Sequence, residues 1–178
     1  MRAFLLFITV TVFCSASQLF AKNATAAQYL YMVNQIVPEK QNVAIFMAKD
    51  MVETEKVKLE RAAATFKLNV TVYVIESARN IGESLKKIDD NTALVVYETP
   101  ILQEKSSKMF IISKCKEKNI PVITPSEEYV KSGALVGIIV DDKFKMSQLL
   151  INLQNYAQFA PKFTEEFTLA LGVTEIIK

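Results

Sequence analysis

Six side chains stand where this sequence could do chemistry: Glu76, Tyr97, Glu98, Thr99, Ser126 and Asp141. Each closes or follows a short apolar run rich in β-branched residues, where a strand would hand over to a helix. The carboxylates of Glu76, Glu98 and Asp141 could hold a cationic group of a ligand, or stay as solvated loop acids. Ser126, like Ser77, also suits the first position of a helix, where its hydroxyl would cap a free backbone N–H. A serine nucleophile needs a base, and the chain contains no His. Asp141-Asp142 could touch a hard cation, but two adjacent side chains do not make a site. No catalytic residue, metal or cofactor is expected.

Two phosphate-binding arrangements are also excluded. A dinucleotide or P-loop site needs a glycine-rich turn after the first strand, so that backbone can approach phosphate. The turn here is Met47-Ala48-Lys49-Asp50, and the glycines are Gly82, Gly133, Gly137 and Gly172. A phosphoacceptor receiver wants an acidic pair after its first strand, Asp ending the third and Lys ending the fifth. The corresponding places hold Lys49-Asp50, Tyr97-Glu98 and Asp141-Asp142.

The elements that must position these residues follow from periodicity. Five apolar runs lie at 42–47, 69–75, 93–97, 121–124 and 134–140. Most are near-continuously apolar, with only partial alternation in the second, as strands covered on both faces are, which points to a parallel sheet. Helix-period segments alternate with them. One has Asp50 as expected N-cap with Glu53 completing a capping box, and a stripe of Val52, Leu59, Ala62, Ala63 and Phe66. Others start at Ser77, cover 103–118 before Asn119, follow Ser126, and begin near Asp142 with Met146, Leu149, Leu150, Leu153 and Ala157 in helical register. The fold class is therefore α/β: a doubly wound three-layer sandwich on a five-stranded, mainly parallel sheet of order 2-1-3-4-5. In such a sheet, ligands bind at the carboxyl ends of the strands. A further helix at 24–37 precedes the sheet. Its Tyr29, Met32, Val33 and Ile36 share one face, to pack on the sheet or to serve as an exchanged arm. Residues 41–160 form the α/β lobe, 22–40 the N-terminal helix, and 161–178 a strand or arm packed on the lobe.

Arg2 and the apolar run 3–13 read as a signal peptide over residues 1–21, since a membrane span needs about 20 apolar residues. Cleavage is expected after Ala21 or Ala16, and Phe13 before Cys14 argues against a lipoprotein. A retained anchor is the alternative. The expected location is periplasmic. With 21 Lys+Arg against 19 Asp+Glu there is no basic excess for nucleic acid. Cys115, on one helical face with Ile111 and Ile112, reads as a small buried hydrophobe.

The stretch from Asn119 through Ile120-Pro121-Val122 and Glu127 to Lys131-Ser132-Gly133-Ala134-Leu135 resembles a segment of the periplasmic substrate-binding proteins of ABC transporters. Leu169-Ala170-Leu171-Gly172-Val173 resembles their closing motif. The nearest match is the tryptophan/tyrosine-type or uncharacterised group with a type I periplasmic-binding fold. The family has two lobes and this chain has the length of one. The family's Asp-Asn after the third strand is here Glu98-Thr99, and its Ser-Asp after the fourth is Pro125-Ser126. The resemblance implies a non-enzymatic exported protein binding a small organic solute, or a membrane partner such as a permease or sensor. A homodimer could rebuild the two-lobed cleft. A second resemblance, at 133–140, is to small periplasmic proteins that restrain a diguanylate cyclase. It implies the alternative, a signalling regulator docking on a membrane sensor kinase or cyclase.

Overall fold

The computed structural model describes residues 22–178. The expected signal peptide, its cleavage sites and Cys14 fall outside those residues. The elements are α1 (Ala26–Ile36), β1 (Asn42–Met47), α2 (Lys49–Phe66), β2 (Asn69–Val74), α3 (Ala78–Lys86), β3 (Thr92–Val96), α4 (Pro100–Gln103) and α5 (Lys105–Glu117). They continue with β4 (Val122–Thr124), α6 (Glu127–Lys131), β5 (Val136–Val140), β6 (Met146–Asn152), a 3-10 helix (Ala157–Lys162), α7 (Glu165–Leu171) and β7 (Glu175–Ile177). Among the described residues, no helix is long and apolar enough to cross a membrane.

The strands make one seven-stranded sheet in the order β2-β1-β3-β4-β5-β6-β7. β1 to β5 pair in parallel, β6 runs antiparallel to β5, and β7 is parallel to β6. The fold is thus α/β on a mostly parallel sheet, but with seven strands in place of the five expected. Alternation along each strand divides two cores. Val43, Ile45 and Met47 of β1, with Ala93, Val95 and Tyr97 of β3, face α1, α2 and the C-terminal segment. Ala44 and Phe46, with Leu94 and Val96, face α3, α4, α5 and α6.

α1 is held in the first of these layers. Tyr29, Leu30, Met32, Val33 and Ile36 are buried, and Leu30, Met32, Val33 and Ile36 should each contribute about 1.5–3 kcal/mol. Its N-terminus is closed by a capping box between Thr25 and Gln28. This is a packed helix of the lobe, while Tyr31, off the shared face, remains 40% exposed.

Three local expectations are corrected. First, the segment after Asp142 is not a helix. Leu149, Leu150 and Ile151 are consecutive and all buried, so they need cover on both sides, which a strand inside a sheet supplies and an amphipathic helix does not. β6 takes that place by pairing with β5. Second, the expected strand within 161–178 is mostly helix. Thr164 accepts from the Phe167 N–H at 3.2 Å, Glu165 and Glu166 favour the positive end of the helix dipole, and Gly172 terminates α7 with φ 73°. Only β7 is extended there. Third, α2 starts at Lys49 with Ala48 at the cap position and no side-chain cap, so Asp50 and Glu53 form no capping box.

Cys115 is fully buried in the second core. Burial pushes its thiol up to about 12. At pH 8 the thiolate fraction should therefore be on the order of one in ten thousand. A thiol reagent should leave Cys115 unmodified in the native protein and label it at once in guanidinium, as mass spectrometry of its peptide would show. Rapid native labelling would mean that α5 does not seal this core.

Candidate functional site

Because β1 to β5 are parallel, their carboxyl ends lie on one edge of the sheet. That edge carries every candidate residue, but spreads them out. β2 is the outermost strand and β5 the fifth across. At ~4.8 Å per strand, Glu76 and Asp141 are roughly 19 Å apart, too far for one small solute to touch both. Tyr97, Glu98 and Thr99 after β3, and Ser126 after the adjacent β4, are the ones the fold brings together.

Several of them already have structural duties. The Thr99 hydroxyl accepts from the Leu102 N–H at 3.4 Å and caps α4. Asp141 accepts from the N–H groups of Lys143 and Lys145 at 2.8 and 2.9 Å, which shapes the β5–β6 turn. Ser77 caps α3 through the Asn80 N–H at 3.3 Å. Glu76 is exposed. Ser126 occupies the cap position of α6 but makes no side-chain cap bond. Its N–H donates to Thr124 Oγ1 at 3.2 Å.

Tyr97 is different. It is 1% exposed, its ring centroid lies 5.0 Å from that of Tyr29, and its hydroxyl has no hydrogen-bond partner among the described residues. Burial, reinforced by the Glu55 carboxylate, pushes its phenol well above the ordinary range. Two further buried polar groups without a hydrogen-bond partner, Gln103 Nε2 and Ser107 Oγ, belong to the same β3–α4–α5 connection. Folded proteins satisfy most such groups. Here they fall within one stretch of chain after β3, Tyr97 on the α1 side of the sheet and Gln103 and Ser107 on α4 and α5, which pack against the other side. Nearby in sequence, the buried Lys108 does have a partner: Glu128 at 2.5 Å. That bond holds the Glu128 carboxyl below its usual range.

The edge also includes residues that the sequence reading missed. Asn23 Oδ1 accepts from the Glu98 N–H at 2.6 Å, and Asn23 Nδ2 reaches the Glu98 carbonyl at 3.4 Å. Tyr29 donates its hydroxyl to Asn23 Oδ1 at 3.4 Å and accepts from the Ala24 N–H at 3.3 Å. Lys22 donates to the Asp142 carbonyl at 3.0 Å and lies 4.1 Å from the centre of the Phe144 ring. Phe144 sits at the tip of the β5–β6 turn with φ 57°. The residues before α1 thus tie the end of β3 to the end of β5. Among the described residues, no cluster of three or more His, Cys, Asp or Glu could hold a metal ion.

No family model matches the sequence, and no curated protein matches it. Solved structures do match its fold. One is a conserved domain protein of Vibrio cholerae O1 biovar El Tor, at 16% identity and TM-score 0.67, over 86% of this chain and 60% of that one. A second is an ABC domain from Streptococcus pneumoniae in complex with L-Trp, at 14% identity and TM-score 0.68, over 87% and 61%. A third is a substrate-binding protein with adhesive properties from Clostridium difficile, in its ligand-free, open form, at 14% identity and TM-score 0.61, over 87% and 60%. The chain therefore has a fold found in substrate-binding proteins, as the sequence resemblance implied. It spans about 60% of the length of these structures.

A buried hydroxyl without a partner costs about 1–3 kcal/mol. Tyr97→Phe should therefore leave stability unchanged or raise it by about 1 kcal/mol, measured by chemical denaturation. A loss above 1 kcal/mol would show that the hydroxyl is satisfied in the native protein.

Proposed function

We propose that this protein is an exported, non-enzymatic binding protein whose single lobe takes a small organic solute at the carboxyl ends of β3 and β4. The observation that carries this reading is that the segment following β3 holds three buried polar atoms with no hydrogen-bond partner among the described residues, the Tyr97 hydroxyl, Gln103 Nε2 and Ser107 Oγ. Groups of this kind cost stability unless something else uses them. Thr99 and Ser126 are buried beside them on the same edge. The fold likeness supports the same reading, since one structural neighbour is described in complex with L-Trp and another as a substrate-binding protein.

The absence of His removes the commonest base for turnover chemistry, which favours binding over catalysis. The lobe offers one wall of a cleft, and we propose that a second copy, or the membrane permease that receives the solute, can supply the other. The apolar run at 3–13 and Arg2 support export to the periplasm, with Lys22 as the first residue after cleavage.

A thermal-shift screen of amino acids, small amides and organic acids, run with light scattering for oligomeric state, tests the proposal. A solute at 100 times its dissociation constant should stabilise the protein by about 2.7 kcal/mol, and Ser126→Ala or Thr99→Val should weaken that shift. A protein recovered from the cell envelope as a monomer, and stabilised by nothing, would refute it.

A further inference from the structure

The carboxyl edge is already occupied by part of the chain itself. Asn23 presents a primary carboxamide to the main chain of Glu98, with its oxygen on the N–H at 2.6 Å and its nitrogen on the carbonyl at 3.4 Å. This is a two-point contact between one amide and one backbone residue, of the kind a strand makes with its neighbour. Both points matter chemically. A carboxylate could accept from the N–H, but would bring its second oxygen against the Glu98 carbonyl. An ammonium group could donate to the carbonyl, but could not accept from the N–H. The Tyr29 hydroxyl completes the surround by donating to the same Asn23 oxygen.

Within α1, the Tyr29 hydroxyl uses this contact through Asn23 Oδ1, but the ends and packing of the helix do not depend on it. The helix start is closed by Thr25 and Gln28, and its core face is buried. What the contact does is hold residues 22 and 23 across the edge. Lys22 is tied to Asp142 and Phe144 beyond β5 while Asn23 is tied to Glu98 beyond β3. The sheet order places the end of β4, with Ser126, between those two anchors.

We propose that the Glu98 main chain is a receptor for a primary carboxamide, filled in this state by the chain's own Asn23, and that a carboxamide-bearing solute binds by displacing the strap of residues 22–23. This rests on the reading of the carboxyl edge as a solute site and names the chemical class of its ligand.

The test follows the Glu98 amide by ¹⁵N NMR in the full protein, titrated with propionamide and, separately, with propionate. In Asn23→Ala the Glu98 N–H should lose its acceptor and shift upfield. Propionamide should return it saturably toward the native position, and propionate should not. The wild type, where the occupant is tethered at high effective concentration, should need at least ten times more propionamide for the same fractional change. A Glu98 resonance in the folded variant that ignores propionamide, or that responds equally to propionate, would overturn the proposal. If Asn23→Ala fails to fold, Asn23→Asp keeps the size and the acceptor while removing the donor, and the same titration applies. A solute that stabilises the protein without moving Glu98 would overturn the carboxamide assignment alone. Failure of every solute on both wild type and variant would overturn the site reading as well.

Discussion

Parallel pairing of β1 to β5 is the constraint on which the rest of the molecule depends. Strands such as Ala93-Leu94-Val95-Val96 are apolar on both faces and fully buried, so each needs helices above and below. Short hairpins cannot supply those helices, whereas βαβ crossovers can, and crossovers keep the strands parallel. Once the strands are parallel, every carboxyl end emerges on one edge. Backbone groups and loop side chains there are freed from the sheet ladder. The two cores and the position of α1 follow from this arrangement.

The sequence made much of this legible because each parallel strand carries its own signal. Apart from β2, which alternates and is partly exposed, these are β-branched runs with no polar alternation and few alternative readings, and α1 declared its buried face through Tyr29, Met32, Val33 and Ile36. The C-terminal third was less legible for identifiable reasons. The turn between β5 and β6 lacks the Asn-Gly or Asp-Gly signature of a hairpin. Instead it places Phe144 in the left-handed region, which a bulky residue rarely adopts, and Asp141 holds it from its side chain. Without a turn signal, Met146, Leu149, Leu150 and Leu153 fit helical spacing as well as a strand. Conversely Phe163, Phe167, Leu169 and Leu171 fall at every second or fourth position and mimic a strand, although Thr164 and Gly172 mark the two ends of α7.

The candidate site was legible as an edge and illegible as a constellation. Tyr97, Glu98, Thr99 and Ser126 come together because β3 and β4 are neighbours. Glu76 and Asp141 are separated from one another by three intervening strands, which no local pattern reveals. Asn23 had no signal at all: it lies in an irregular segment, and its partner is 75 residues away. Only the folded chain shows that the residues before α1 return to the carboxyl edge.

A different surface offers a groove. A groove of about 470 Å³ runs between α2 and the outermost strand, lined by Val52, Leu59, Ala63, Val70 and Val72 with Lys56 and Glu60 at its rim. Its lining has none of the buried polar groups without partners. Hydrogen–deuterium exchange, with and without a pooled set of free amino acids and primary amides, separates the two surfaces and tests the account most directly. The expected result is ligand-dependent protection in peptides covering Tyr97–Thr99 and Thr124–Ser126, with little change across α2 and β2. Protection confined to the α2–β2 groove, or none anywhere, would contradict a solute site at the carboxyl ends of the central strands.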